Sequence, residues 1–227
     1  MNTTRAMLSK SCFLLLIFSL LNGCLSGTRP PVSLSPRLDK RIYKTTQLPI
    51  KIGIYIEPSL RNYVQEEWLR HYNIGIHRLV FPIGEHLSSR LEEMSRIIFR
   101  EVVFINDLED KERLNRESME GILVFALKKS EIELNIEESI LWAIGKHTLS
   151  ITATFLDAGY QKQWGIDVTA EGKGLDVVTS RIEYEWWVTS APNFAPAVDE
   201  AIEKITYELS QRLIAKLANV GMEQIGK

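Results

Sequence analysis

The sequence predicts an α+β fold: a two-layer sandwich in which two main helices pack on one face of a mixed, mostly antiparallel sheet. Three observations carry this prediction. Two long stretches have apolar residues at helical spacing, and each shows a single apolar stripe. The segments around them alternate apolar and polar residues, or run continuously apolar over short lengths, as strands do. The order is strand, helix, short strand, a run of hairpin-linked strands and a long helix, which places both stripes most simply against one sheet.

The first 23 residues stand apart from this fold. Arg5 and Lys10 are their only charges, and the apolar run from Cys12 to Leu21 follows. That run is too short for a bilayer core, which needs about 20 residues. A charged start, a short apolar core and a small residue before the break make an export signal. Leu21-Asn22-Gly23-Cys24 resembles the lipobox of a bacterial lipoprotein signal peptide. The resemblance implies cleavage before Cys24, acylation of Cys24 and attachment to a membrane without spanning it. Each buried methylene of such an anchor contributes about 0.8 kcal/mol. Leu25 stands where an aspartate favours inner-membrane retention, so the resemblance implies the outer membrane, with the domain facing the periplasm. Cys12 leaves with the signal, so the mature domain is expected to have no disulfide. Losing Arg5 and Lys10 takes the net charge from −2 to −4, and such mild acidity gives no bulk support for nucleic-acid binding.

Residues 24–47 hold the expected lipid site and then a flexible tether, because Pro30, Pro31 and Pro36 among small residues oppose helix and sheet. Residues 48–227 suffice for one compact domain. Ile50, Ile52, Ile54 and Ile56 alternate along a first strand, which Glu57-Pro58 ends. Residues 60–81 are mixed and predict a short helix and an irregular return. Pro82 opens a helix whose stripe is Ile83, Leu87, Leu91, Met94, Ile97 and Ile98. Val102–Ile105 predicts a short strand, and 107–117 a charged loop or helical turn. Gly121–Leu127 predicts a buried central strand, and alternation over Glu131–Ile136 extends it or pairs with it. Strands at 147–156 and 162–171 flank the turn Asp157-Ala158-Gly159-Tyr160. Gly172-Lys173-Gly174 predicts a break. Arg181–Val188 alternates charged and apolar residues, and Pro192 and Pro196 bracket the entry to a last helix striped by Val198, Ile202, Ile205, Leu209 and Leu213.

Catalytic constellations are not evident. His71, His77, His86 and His147 form no spaced ligand pair, so neither a metal nor another cofactor is expected. Gly172-Lys173-Gly174 lacks the flanking pattern of a phosphate loop. The acids Asp107, Glu109, Asp110 and Glu112 are interleaved with Lys111 and Arg113 and do not follow a calcium loop. Ser59 and Ser190 have no nucleophile elbow around them. Glu85 and His86 open a helix, where Glu85 suits the helix dipole. The expectation is therefore a non-enzymatic protein. Aromatic residues are the better lead. Trp187 falls on the charged face of 181–188 with Glu183 and Glu185, and Trp68 and Tyr72 lie four apart, so all three are candidate partner contacts.

Three places carry a wider resemblance. They are the first strand followed by Phe81-Pro82-Ile83-Gly84 and a helix with Leu87 and Leu91; the hairpin of Asp157, Gly159 and Trp164 running into Glu171–Gly174; and the closing helix that begins Ala197-Val198-Asp199-Glu200-Ala201. Together they resemble the small α+β domain of YajG-like and LptE-like lipoproteins, ABC-transporter auxiliary lipoproteins and the N-terminal domain of TolB and CsgG-type proteins. The resemblance implies a lipid-anchored accessory or assembly subunit of a cell-envelope complex, in transport, secretion or lipid trafficking, with a protein partner and no nucleic acid. The alternative is a stand-alone periplasmic lipoprotein that binds a lipid or small molecule in a pocket between the sheet and the 57–81 insertion.

Overall fold

A computed structural model describes residues 30–71, 75–109, 119–136, 142–177 and 194–225. Its elements are a 3-10 turn (Ile42–Lys44), β1 (Leu48–Ile56), α1 (Pro58–Arg61), β2 (Gln65–His71), β3 (Gly75–Phe81), α2 (Ile83–Ile98), β4 (Phe99–Ile105), β5 (Gly121–Ile136), β6 (Trp142–Asp157), β7 (Lys162–Val177) and α3 (Ala195–Ile225). The five-stranded sheet runs β4-β1-β5-β6-β7, and β2 and β3 form a separate hairpin. The class is the expected α+β. The sheet divides into two halves: β1 pairs in parallel with β4 and β5, whereas β5, β6 and β7 are antiparallel.

Alternation decides which face is buried. Ile52, Ile54 and Ile56 of β1 join Leu123 and Phe125 of β5, Leu149, Ile151 and Ala153 of β6 and Val168 of β7 in one core. Against them lie Leu87, Leu91, Met94 and Ile98 of α2, and Val198, Ile202, Ile205, Leu209 and Leu213 of α3. Both helices thus cover the same face. The opposite face carries ion pairs, including Lys128 with Asp167, Lys146 with Glu171 at 3.1 Å and Lys173 with Glu171 at 3.0 Å. A smaller apolar cluster at one end joins Ile105 and Ile122 with Tyr55, Met119 and Leu156.

Three expectations need correcting. The stretch read as a tether packs over its second half: Val32, Leu34, Leu38 and Ile42 are at most 6% exposed. Its prolines break helices without preventing an extended arm, and the alternation Val32, Leu34, Pro36, Leu38 gives that arm a buried edge. Residues 65–81 form a hairpin and not an irregular return, with Leu69, Leu79 and Phe81 turned into the core. Of the two alternatives for Glu131–Ile136, the extension holds: β5 is one strand of 16 residues whose register shifts between Leu127 and Lys129. This irregularity moves the core face from odd to even positions, so Ile132 and Leu134 pack where Leu123 and Phe125 do. Gly172 and Gly174 lie inside β7 rather than at a break. Residues 110–117 of the charged segment expected at 107–117, and the strand expected at 181–188, fall outside the described residues.

Candidate functional site

The arm that leads from Cys24 is the first feature to place. The Val32 N–H donates to the Val80 carbonyl of β3 at 2.8 Å. The Ser35 N–H donates to the Asp199 carboxylate, in the second turn of α3, at 2.9 Å. Burial pushes the Asp199 carboxyl above its ordinary range, against the opposing pull of the Ser35 N–H and of His86. The Arg41 guanidinium lies 3.7 Å from the centre of the Tyr207 ring on α3. The Tyr43 hydroxyl donates to Glu93 of α2 at 2.6 Å, which holds its pKa above the usual phenol value. The Gln47 amide donates to the Phe99 carbonyl at 2.8 Å. The arm therefore touches β3, both long helices and the start of β4. Residues 29–47 carry five basic side chains and one acidic one in a chain of net charge −2.

The hairpin has two unlike faces. Gln65 and Leu69 are buried, while Trp68 on the opposite face is 58% exposed; Val64, just before β2, is 50% exposed. Trp68 sits across from Arg78, and Arg78 pairs with Glu66. Of the candidate contacts, Trp68 is thus a surface residue, and Leu69, Leu79 and Phe81 hold the hairpin down in its place. Tyr72, Trp187 and Cys24 lie outside the described residues.

A cleft of about 510 Å³ opens between residues 61–64 and α2, lined by Tyr63, Val64, Pro82, Glu85, Ser88 and Glu92. It adjoins the 57–81 insertion, as expected, but its other wall is α2 and not the sheet. Carboxylates and hydroxyls contribute to the lining, and the Arg61–Glu92 ion pair at 3.0 Å crosses it. Ser88 is 3% exposed, and its hydroxyl has no protein partner.

One polar chain is buried, and the sequence does not announce it. His147 of β6 is fully buried, and its Nε2 lies 2.9 Å from the Ser130 hydroxyl. Ser130 donates to Gln65 at 2.5 Å, and Gln65 donates to Glu67 at 2.7 Å. The chain ties the hairpin to the sheet. Burial pushes the His147 pKa down from 6.5 to about 4. The unfolded chain therefore binds a proton below pH 6.5 that the native state refuses until about pH 4. Stability falls as the pH drops through that window, by about 1 kcal/mol per pH unit at most from this one group. In urea titrations across the window, His147→Gln is expected to remove that component; an unchanged slope would exclude His147 as its source.

Among the described residues no group of three or more acidic, histidine or cysteine side chains is placed to hold a metal ion, and no helix is long and apolar enough to cross a membrane. No family model and no curated protein matches the sequence. Solved structures with a similar chain trace include a minor lipoprotein from Acinetobacter baumannii (10% identity, 75% of this chain and 95% of that one, TM-score 0.37). A homolog of neuraminyllactose-binding hemagglutinin from Helicobacter pylori has 15% identity over 79% of this chain and 94% of that one, at a TM-score of 0.39. Rare lipoprotein B from Shewanella oneidensis has 9% identity over 77% and 98%, at 0.35. Likeness at this distance carries no argument about function.

Proposed function

We propose that this protein is a lipid-anchored envelope lipoprotein, acylated at Cys24, held at the outer membrane and acting as a non-enzymatic accessory or assembly subunit of an envelope complex. The observation that carries the reading is the short link: residues 25–31 separate Cys24 from Val32, the first core residue among those described. At roughly 3.5 Å per residue the eight steps from Cys24 to Val32 span at most about 28 Å. A domain held that close to a membrane meets what is embedded in or resting on that membrane. Leu25 supports the outer-membrane assignment, and the resemblance to YajG-like and LptE-like lipoproteins supports the accessory role.

Two measurements test this. Cys24→Ala is expected to move the protein from the membrane to the soluble fraction. Crosslinking followed by pull-down from solubilised membranes is expected to recover a stable protein partner with the wild type. Recovery of monomer alone counts against the accessory role while leaving the anchor standing.

The cleft beside α2, with its buried and unpartnered Ser88 hydroxyl, favours a second reading as a small-molecule-binding lipoprotein. A ligand of lipid or glycan mass on the purified protein in native mass spectrometry is its expected signature.

A further inference from the structure

We propose that the outer face of the β2–β3 hairpin, centred on Trp68, rests on the lipid surface to which Cys24 is anchored; this builds on the anchor proposed above. The arm meets the rest of the fold at this hairpin. Val32 is bonded to Val80, and in the hairpin register Val80 faces Glu66 while Arg78 faces Trp68. Trp68 therefore lies one pleat, about 7 Å, along the hairpin from the strand position that the arm engages. Val32, eight steps from Cys24 in sequence, thus meets the fold beside this face.

The chemistry of the face suits a lipid headgroup region. Trp68 projects from β2 and is 58% exposed, and Val64, just before the strand, is 50% exposed. An indole ring prefers the boundary between hydrocarbon and water, because one end is apolar and the other donates a hydrogen bond. Glu66 stands between them, and Arg78 neutralises it. Arg78 is itself half-exposed, its guanidinium held on Glu66 and Trp68 across from it in the register.

Size argues for lipid over protein. Two paired strands of seven residues offer one face of roughly 23 by 10 Å, from the usual rise and strand spacing. That is about 230 Å², whereas a stable protein interface takes about 800 Å² per partner. A small interfacial patch is sufficient when the acyl anchor already supplies the affinity and the patch only sets orientation.

The test uses the full acylated protein in phosphatidylethanolamine–phosphatidylglycerol vesicles that carry a nitroxide phospholipid. Trp68→Cys, Arg78→Cys and, as an exposed α3 control, Gln211→Cys are each labelled with an environment-sensitive fluorophore. Flotation with the vesicles reports the anchor, and nitroxide quenching reports the hairpin. The expected result is flotation of all three, with quenching at 68 and 78 severalfold stronger than at 211. Flotation with equal quenching at all three positions overturns the hairpin contact and leaves the anchor intact. A blue-shifted label at 68 that the nitroxide does not quench also overturns it, in favour of a protein contact. Failure to float overturns the anchor and this proposal together.

Discussion

Phe125→Ala is expected to lower the unfolding free energy by about 3–5 kcal/mol, the range for a large aromatic removed from a packed interior. Phe125 is fully buried on the central strand β5. Ile56 of β1 is its neighbour on one side and Ala153 of β6 on the other. Its own carbonyl accepts the Glu57 N–H at 2.9 Å, where the chain leaves β1. Neighbours on both sides are themselves buried and bonded into the sheet, so the site has little freedom to collapse, and the cavity cost adds to the lost transfer energy. Urea denaturation reads the effect as a lower midpoint at unchanged slope. A loss under about 1 kcal/mol would mean that the helices do not close over β5 as described.

Gly172→Ala is expected to cost about 3 kcal/mol, although it adds a single methyl group. A Cβ at Gly172 would meet the Ala197 carbonyl oxygen and the Ala201 nitrogen far inside contact distance, and the Ala201 Cα at 3.0 Å. These are backbone atoms of α3, so no side chain can rotate out of the way and the helix itself must shift. Gly165→Ala on the same strand is the control. Its Cβ would meet nothing nearer than the Lys162 side chain at 3.7 Å, so that change should be neutral or stabilise slightly by stiffening the unfolded chain. Thermal melts of both variants decide the matter; equal melting temperatures would rule out close helix–strand contact at Gly172.

Glycines show where sequence reasoning succeeds and where it stops. Gly159 was legible as part of a turn, because Asp157 precedes it and the Asp157 carboxylate accepts the Gly159 N–H at 2.8 Å, a local bond. Gly172 and Gly174 looked like turn residues too, yet they lie in a strand because a helix more than twenty residues away in sequence presses on them. The arm has the same lesson in reverse. Val32, Leu34 and Leu38 alternate as an extended edge does, but three prolines pointed to a tether. Only the groove they fill identifies them as core. The hairpin at 65–81 was missed because Glu66, Glu67, Arg70 and His71 dilute its alternation, and the buried Gln65 draws its support from Ser130, far along the chain.

The candidate site divides in the same way. Cys24 and its apolar leader carry the proposed anchor on sequence alone, because an export signal is read as a linear string. Trp68 was legible as a possible contact residue, but not as the exposed face of a hairpin beside the first packed residue of the arm. The His147–Ser130–Gln65 chain carried no sequence signal at all, since its members lie on three strands. The sequence alone determined the periodic elements and the α+β class, because burial imposes its spacing on local strings of residues. Tertiary structure alone decided that the arm from Val32 onward packs into the core, which glycines are spacers and that Trp68 stays outside, because those depend on contacts between residues the chain brings together only after folding.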